Sequence, residues 1–170
     1  MEWEICDVAA ADLEAVLALN QTEVPHVGSI DLDKMEWFAA NAAYFRTVTI
    51  EKQLAAYLIG MRPGTAYESL NYRWFCDRYE DFAYIDRIAV AEFARRCGLA
   101  SKLYDDFARS VPNSVGVMTC EVNLKPPNET SMRFHEKLGF RQVGSRAYDG
   151  GEKEVAMLLK DLSVQAPHKE

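Results

Sequence analysis

Asp86-Arg87-Ile88-Ala89-Val90, then Ala91-Glu92-Phe93-Ala94, then Arg95-Arg96-Cys97-Gly98-Leu99-Ala100 is the stretch that decides the fold. Phe82–Val90 reads as a buried strand, and Gly98–Ser110 as a helix whose inner stripe is Leu99, Leu103 and Phe107. A strand running through a small-residue turn into a helix gathers several backbone N–H groups that lack helical partners. Those donors, with the positive end of the helix, suit a pyrophosphate. Gly98 and Ala100 let a phosphate approach the backbone, and Arg95 or Arg96 adds charge. By itself the RxxGxA pattern is a weak signal, because a glycine ahead of a helix is commonly just a turn. It is not GxxxxGK[ST], so an ATP-binding P-loop is a poor reading.

Working outward, Glu2–Val8 forms a first strand, and Ala10–Asn20 carries Leu13, Val16 and Leu17 at helical spacing. Pro25 and Gly28 interrupt it before a second helix over Leu32–Ala42, with Asp31 near its positive end. Tyr44–Glu51 and Leu54–Met61 read as a hairpin turning at Lys52-Gln53. Thr65–Asp81 holds Tyr67, Tyr72, Trp74, Phe75 and Tyr79 among charges, and is expected to contain a short helix covering a site. Val115–Val122 is a strand, and Glu129–Leu138 a helix capped by Asn128 and ended by Gly139. Phe140–Ala147 and Glu154–Leu159 close the chain as a strand pair around Asp149-Gly150-Gly151. The order β-α-α-β-β-(insert)-β-α-β-α-β-β indicates an α/β fold, with helices packed on a mixed sheet.

At 170 residues, without repeats or a Gly/Ser linker, the chain reads as one domain over 1–170. Its net charge of −7 argues against a general nucleic-acid binder, which needs a basic surface. No apolar run approaches the ~20 residues that cross a bilayer. The acidic start, Met1-Glu2-Trp3-Glu4, lacks a signal-peptide charge pattern, so a cytoplasmic protein is expected. Cys6, Cys76, Cys97 and Cys120 show no CxxC spacing, and only His26, His135 and His168 could join them. No metal site is therefore expected, and the cysteines read as isolated thiols.

Ile88-Ala89-Val90 ahead of RxxGxA is followed by Asn128-x-x-Ser131-x-x-Phe134-His135-x-x-Leu138-Gly139-Phe140. This pair of motifs resembles the GNAT superfamily of acyl-CoA N-acyltransferases, specifically over Phe82–Gly144 and in element order over nearly the whole chain. The resemblance implies a sheet that splays after the strand ending at Val90, with acetyl-CoA entering there. Ile88 and Val90, flanking Ala89, would pair with the pantetheine arm as an added strand. Backbone N–H groups of Arg96, Cys97, Gly98, Leu99, Ala100 and Ser101 would cradle the pyrophosphate beside Arg95. Asn128 would hydrogen-bond the pantetheine, and Arg133 would reach the nucleotide end. Arg96 departs from many relatives, which have Gly there.

The resemblance also implies catalytic residues. Asp86 stands where some members place a catalytic Glu; being shorter, it would act on the amine through water, or serve as a structural acid paired with Arg87 or another Arg. Glu121 is a reserve candidate. His135 occupies the position where many relatives have Tyr, and would either donate a proton to the departing thiolate or help to seat the cofactor. Arg73 and Arg78 are candidates for gripping a carboxylate on the acceptor. The expected reaction is direct attack of a small-molecule primary amine, without a covalent intermediate on Cys97 or Cys120. The competing readings are a non-catalytic acyl-CoA sensor and a transferase for protein N-termini or lysines. Homodimerisation follows from family habit only.

Overall fold

Residues 2–163, which the computed structural model describes, form seven strands and five α-helices. Residues 1 and 164–170, including His168, lie outside the described residues. The strands are β1 (Trp3–Asp7), β2 (Tyr44–Ile50), β3 (Gln53–Met61), β4 (Ala83–Val90), β5 (Val117–Lys125), β6 (Arg141–Tyr148) and β7 (Lys153–Asp161). The helices are α1 (Leu13–Thr22), α2 (Leu32–Asn41), α3 (Leu70–Cys76), α4 (Leu99–Ser110) and α5 (Glu129–Lys137). Strand order is β1-β2-β3-β4-β5-β7-β6. β4 and β5 run parallel, while β1–β2, β2–β3, β5–β7 and β7–β6 are antiparallel, so the sheet is mixed as expected. The parallel ladder consists of Ala83↔Met118 and Tyr84↔Thr119.

The described residues group into two compact units, those up to Thr65 with Ile85–Ser110, and Ala66–Tyr84 with those from Val111 on. In the first, the β2–β3 hairpin turns at Glu51-Lys52, whose φ values of 50° and 67° are both positive. That left-handed pair matches the twist of the strands, and it leaves Gln53 already paired with Ile50, one residue earlier than the sequence suggests. α1 turns Leu13, Val16, Leu19 and Asn20 inward, with Leu17 only half-buried. Asp31 caps α2 by accepting from the Lys34 N–H at 2.8 Å. α4 lays Phe107 against Tyr44, ring centroids 4.8 Å apart. The Tyr44 hydroxyl donates to Asp106 at 2.8 Å, and Arg46 bonds both Asp106 and Asp7, tying α4 and β1 to β2.

In the second unit the aromatic-rich segment folds as α3, capped by Ser69. Tyr72 and Phe75 go inward against Phe82 and Tyr84, with centroids 5.6–6.1 Å apart. Trp74 packs over Gly144 of β6, where an added Cβ would stand 2.5 Å from the indole. Arg146 on the same strand donates to Asn71 at 2.9 Å. A glycine inside a strand often marks such a close approach. β5 runs three residues beyond its expected end at Val122 because β7 continues to pair with it as far as Lys125↔Glu154.

Gly60 of β3 has the same relation to Phe107, whose ring atoms would lie 2.4 Å from an added Cβ. Gly60→Ala should therefore destabilise the protein by about 1–3 kcal/mol through overpacking. Thermal unfolding should show a fall in Tm of about 2–4 °C for each of those kcal/mol. Phe107→Leu in the Gly60→Ala background should recover part of the loss. An unchanged Tm for Gly60→Ala would show that the ring gives way freely.

Candidate active site

The first unit brings together Asp86, Ile88-Ala89-Val90 and the whole of Arg95–Ser101. A single 3-10 turn, Glu92–Ala94, leads from β4 to the loop ahead of α4. Arg96 adopts φ 63° and Gly98 φ 73°. For arginine this left-handed backbone costs on the order of 1 kcal/mol and is typical of functional loops. Glycine would adopt the same conformation without that cost. The first rung of α4 is Lys102 N–H to Gly98 C=O at 3.1 Å, so the N–H groups of Leu99, Ala100 and Ser101 precede any helical partner. Nothing lies within 4 Å of where a Gly98 Cβ would be. An approachable set of backbone donors at a positive helix end has the chemistry of a phosphate site. Arg95 holds Glu23 at 2.7 Å.

Asp86 and Arg87 form a buried ion pair, Arg87 Nε to Asp86 Oδ2 at 2.8 Å, with side chains 4% (Asp86) and 9% (Arg87) exposed. Arg87 Nη1 donates to Asn20 Oδ1 and to the Gly28 carbonyl, each at 3.1 Å. The guanidinium also lies over Phe38, 5.1 Å from the ring centroid. Asn20 is fully buried; its Oδ1 accepts from the Tyr57 hydroxyl at 2.6 Å and its Nδ2 donates to Gln21 and Gly28. Burial pushes the Tyr57 phenol well above its ordinary value, with Arg87 opposing, so the hydroxyl stays a donor. Sequence reasoning anticipated the Asp86–Arg87 pairing but missed Asn20 and Tyr57. The available signal was a polar residue on the inner stripe of α1.

The second unit carries Asn128, Arg133, His135, Glu121, Arg73 and Arg78. Asn128 Oδ1 caps α5 by accepting from the Ser131 N–H at 3.2 Å. Arg133 is exposed and meets Glu129 at 3.7 Å. The Arg78 guanidinium stacks 3.8 Å from the Trp74 centroid and donates to the Trp74 carbonyl, so it fastens the end of α3. Arg73 is exposed on α3. Tyr84 donates to the Glu121 carboxylate, 2.9 and 2.8 Å from its two oxygens, a pairing the apolar look of Phe82–Val90 concealed.

His135 is 4% exposed. Its Nδ1 lies 2.7 Å from the Ser131 carbonyl, which only accepts, so Nδ1 carries the proton. Phe134 and Phe140 present their rings at 5.2 Å. Burial pulls the imidazole below its ordinary value, with the Ser131 bond opposing. The neutral ring is then the prevailing form at pH 7, and a neutral ring with Nδ1 engaged is a poor proton donor. Among the described residues no group of three or more His, Cys, Asp or Glu could hold a metal ion, and no helix is long and apolar enough to cross a membrane. Cys97 is exposed; Cys120 is buried, and burial together with Glu121 raises its thiol.

The depressed imidazole sets a pH dependence. The unfolded chain protonates this histidine first, so stability is full above about pH 6.5 and declines as pH falls through that value toward the lower folded-state pKa. Urea unfolding between pH 7.5 and 5 should show an acid-side loss in the wild type that His135→Gln lacks. Parallel profiles for the two would overturn the assignment.

The Acetyltransferase (GNAT) family model matches residues 13–140. None of the curated proteins compared with the chain matches it in sequence. Among solved structures, the ribosomal-protein-S18-alanine N-acetyltransferase of Escherichia coli superposes with a TM-score of 0.69 at 18% identity, covering 99% of each chain. Ard1 of Thermoplasma volcanium gives 0.74 at 18% identity, over 95% of this chain and 98% of that one. A candidate phosphinothricin N-acetyltransferase gives 0.68 at 22% identity, over 95% and 99%. At these identities the superpositions speak for the fold, and the family match carries the activity class. The chain belongs to the GNAT family of acetyltransferases, enzymes that use acetyl-CoA as cosubstrate.

Proposed function

We propose that this enzyme moves an acetyl group from acetyl-CoA to a primary amine of a small molecule, by direct attack in a ternary complex. The observation that carries the reading is the β4–α4 junction, where left-handed Arg96 and Gly98 open a helix whose first N–H groups lack helical partners. Gly98, Leu99, Ala100 and Ser101 hold the pyrophosphate through backbone N–H groups, with Arg95 and Arg96 adding charge. The main chain of Ile88-Ala89-Val90 holds the pantetheine arm. Acetyl-CoA supplies the activated acyl group. Asp86 accepts the amine proton through water, its Oδ2 held by Arg87. His135 seats α5 rather than donating to the leaving thiolate, because its environment favours the neutral ring.

Direct transfer is favoured over a covalent route because the buried Cys120 thiol is pushed away from the thiolate form. A small acceptor is favoured by the closure of the 66–81 segment onto β6 through Trp74, Gly144, Asn71 and Arg146. With Arg78 stacked on Trp74, Arg73 is the better placed of the two for an acceptor carboxylate. The protein functions in this reading without a metal or nucleic acid, in the cytoplasm.

The reading is tested by the thermal unfolding midpoint with and without saturating acetyl-CoA. A ligand at about 100 times its Kd stabilises by roughly 2.7 kcal/mol. At this chain length that shifts Tm by about 5–10 °C. Gly98→Glu, which places a carboxylate at the phosphate cradle, should abolish the shift while the protein remains folded. Asp86→Asn should keep the shift and lower kcat by about 10²-fold or more. No shift in the wild type with acetyl-CoA would overturn the reading.

A further inference from the structure

The Asp86–Arg87 pair does not stand alone. Arg87 reaches Asn20 on α1 and Gly28 in the α1–α2 connection, and Asn20 is held in turn by Tyr57 of β3. Asn20 is 0% exposed, so its amide has no solvent to turn toward and its orientation is set by these partners. Gly28 C=O receives both Arg87 Nη1 and Asn20 Nδ2, at 3.1 and 3.2 Å. Gln21 extends the chain of bonds, accepting from Asn20 and donating to Ser29 at 2.8 and 2.9 Å. The guanidinium is thus restrained at three points: Nε by Asp86, Nη1 by α1 and the connection, and its face by Phe38 of α2.

We infer that Arg87 is a positioning residue for the transfer step, orienting the Asp86 carboxylate, and that Asn20 is the anchor that orients Arg87. The inference rests on the reading of Asp86 as proton acceptor. Two features of the geometry support a role beyond packing. The fixed carboxylate lies on β4, one residue ahead of Arg87 and two ahead of Ile88, where the reading begins to lay the acyl arm. Its orientation is set from a different element, α1, through a side chain that has no reason to be polar for packing alone. An apolar residue at position 20 would continue the Leu13, Val16, Leu19 face. Asn stands there because Arg87 Nη1 needs an acceptor that is itself held rigidly.

The test is kinetic, with a structural control. Acetylation of 2-phenylethylamine, a generic primary amine, is followed by release of free thiol in the wild type and in Arg87→Met, Arg87→Lys, Asn20→Leu, Asp86→Asn and the Asp86→Asn/Arg87→Met double variant. Arg87→Met and Asn20→Leu should each lower kcat by about tenfold or more while the KM for acetyl-CoA stays within about twofold. Arg87→Lys, which keeps the charge, should recover part of kcat. In the Asp86→Asn background Arg87→Met should cost nothing further, since two residues acting through one group are not additive. Full additivity in that cycle, or wild-type kcat in both Arg87→Met and Asn20→Leu, would overturn the inference. So would an acetyl-CoA KM that rises in step with the loss of kcat.

Amide exchange of residues 24–31 supplies the readout independent of turnover. Its acceleration in Asn20→Leu and Arg87→Met should exceed that of exchange across β2 and β3 by about tenfold. Unchanged exchange at 24–31 would show that the bonds to Gly28 hold nothing, and would overturn the anchor. Failure of the wild type to bind acetyl-CoA would count against the transferase reading, leaving this exchange result to decide the anchor separately.

Discussion

A guanidinium withdrawn from water must be answered by acceptors on every side, and Arg87 of β4 imposes that requirement on the first unit. The charge is met by Asp86, the Nη1 protons by Asn20 and Gly28, and the face by Phe38. These partners come from α1, the α1–α2 connection and α2, so satisfying one side chain fixes three segments against the strand. Removing one member of a buried ion pair leaves the other uncompensated, which costs about 3–5 kcal/mol in typical proteins. β4 is therefore held by polar contacts at Arg87.

The junction that follows β4 works by a different economy. Its donors are backbone N–H groups whose direction is set by the start of α4, so side-chain identity there matters little for the hydrogen bonds themselves. What matters is the backbone hand at positions 96 and 98. Glycine meets the second requirement without strain, and Arg96 meets the first at a small energetic cost.

His135 shows how environment chooses among the roles a residue type permits. An imidazole near neutral pH suits proton donation, but burial between Phe134 and Phe140 favours the neutral ring, and the Ser131 carbonyl accepts the hydrogen bond from Nδ1–H. Arg78 follows the same logic. A guanidinium that could clamp a carboxylate finds the Trp74 ring and carbonyl closer at hand, and becomes part of the cap on α3.

Periodicity and turn residues sufficed for the element order. The strand–turn–helix at 82–110, the Asn128 cap and the Gly139 stop depend on local backbone rules and were legible from the chain itself. So was the family, because RxxGxA and NxxSxxFHxxLGF encode a loop and a cap that need particular residues at particular offsets. The tertiary structure decided everything that depends on side chains meeting across long separations. Asn20 with Arg87 and Tyr57, Tyr84 with Glu121, and Trp74 with Gly144 pair residues 37 to 70 positions apart. No local pattern marks which polar group on one element will face which on another. The contacts of His135 with Ser131 and of Arg78 with Trp74 are four residues apart, but the burial that favours the neutral imidazole came only with the tertiary structure.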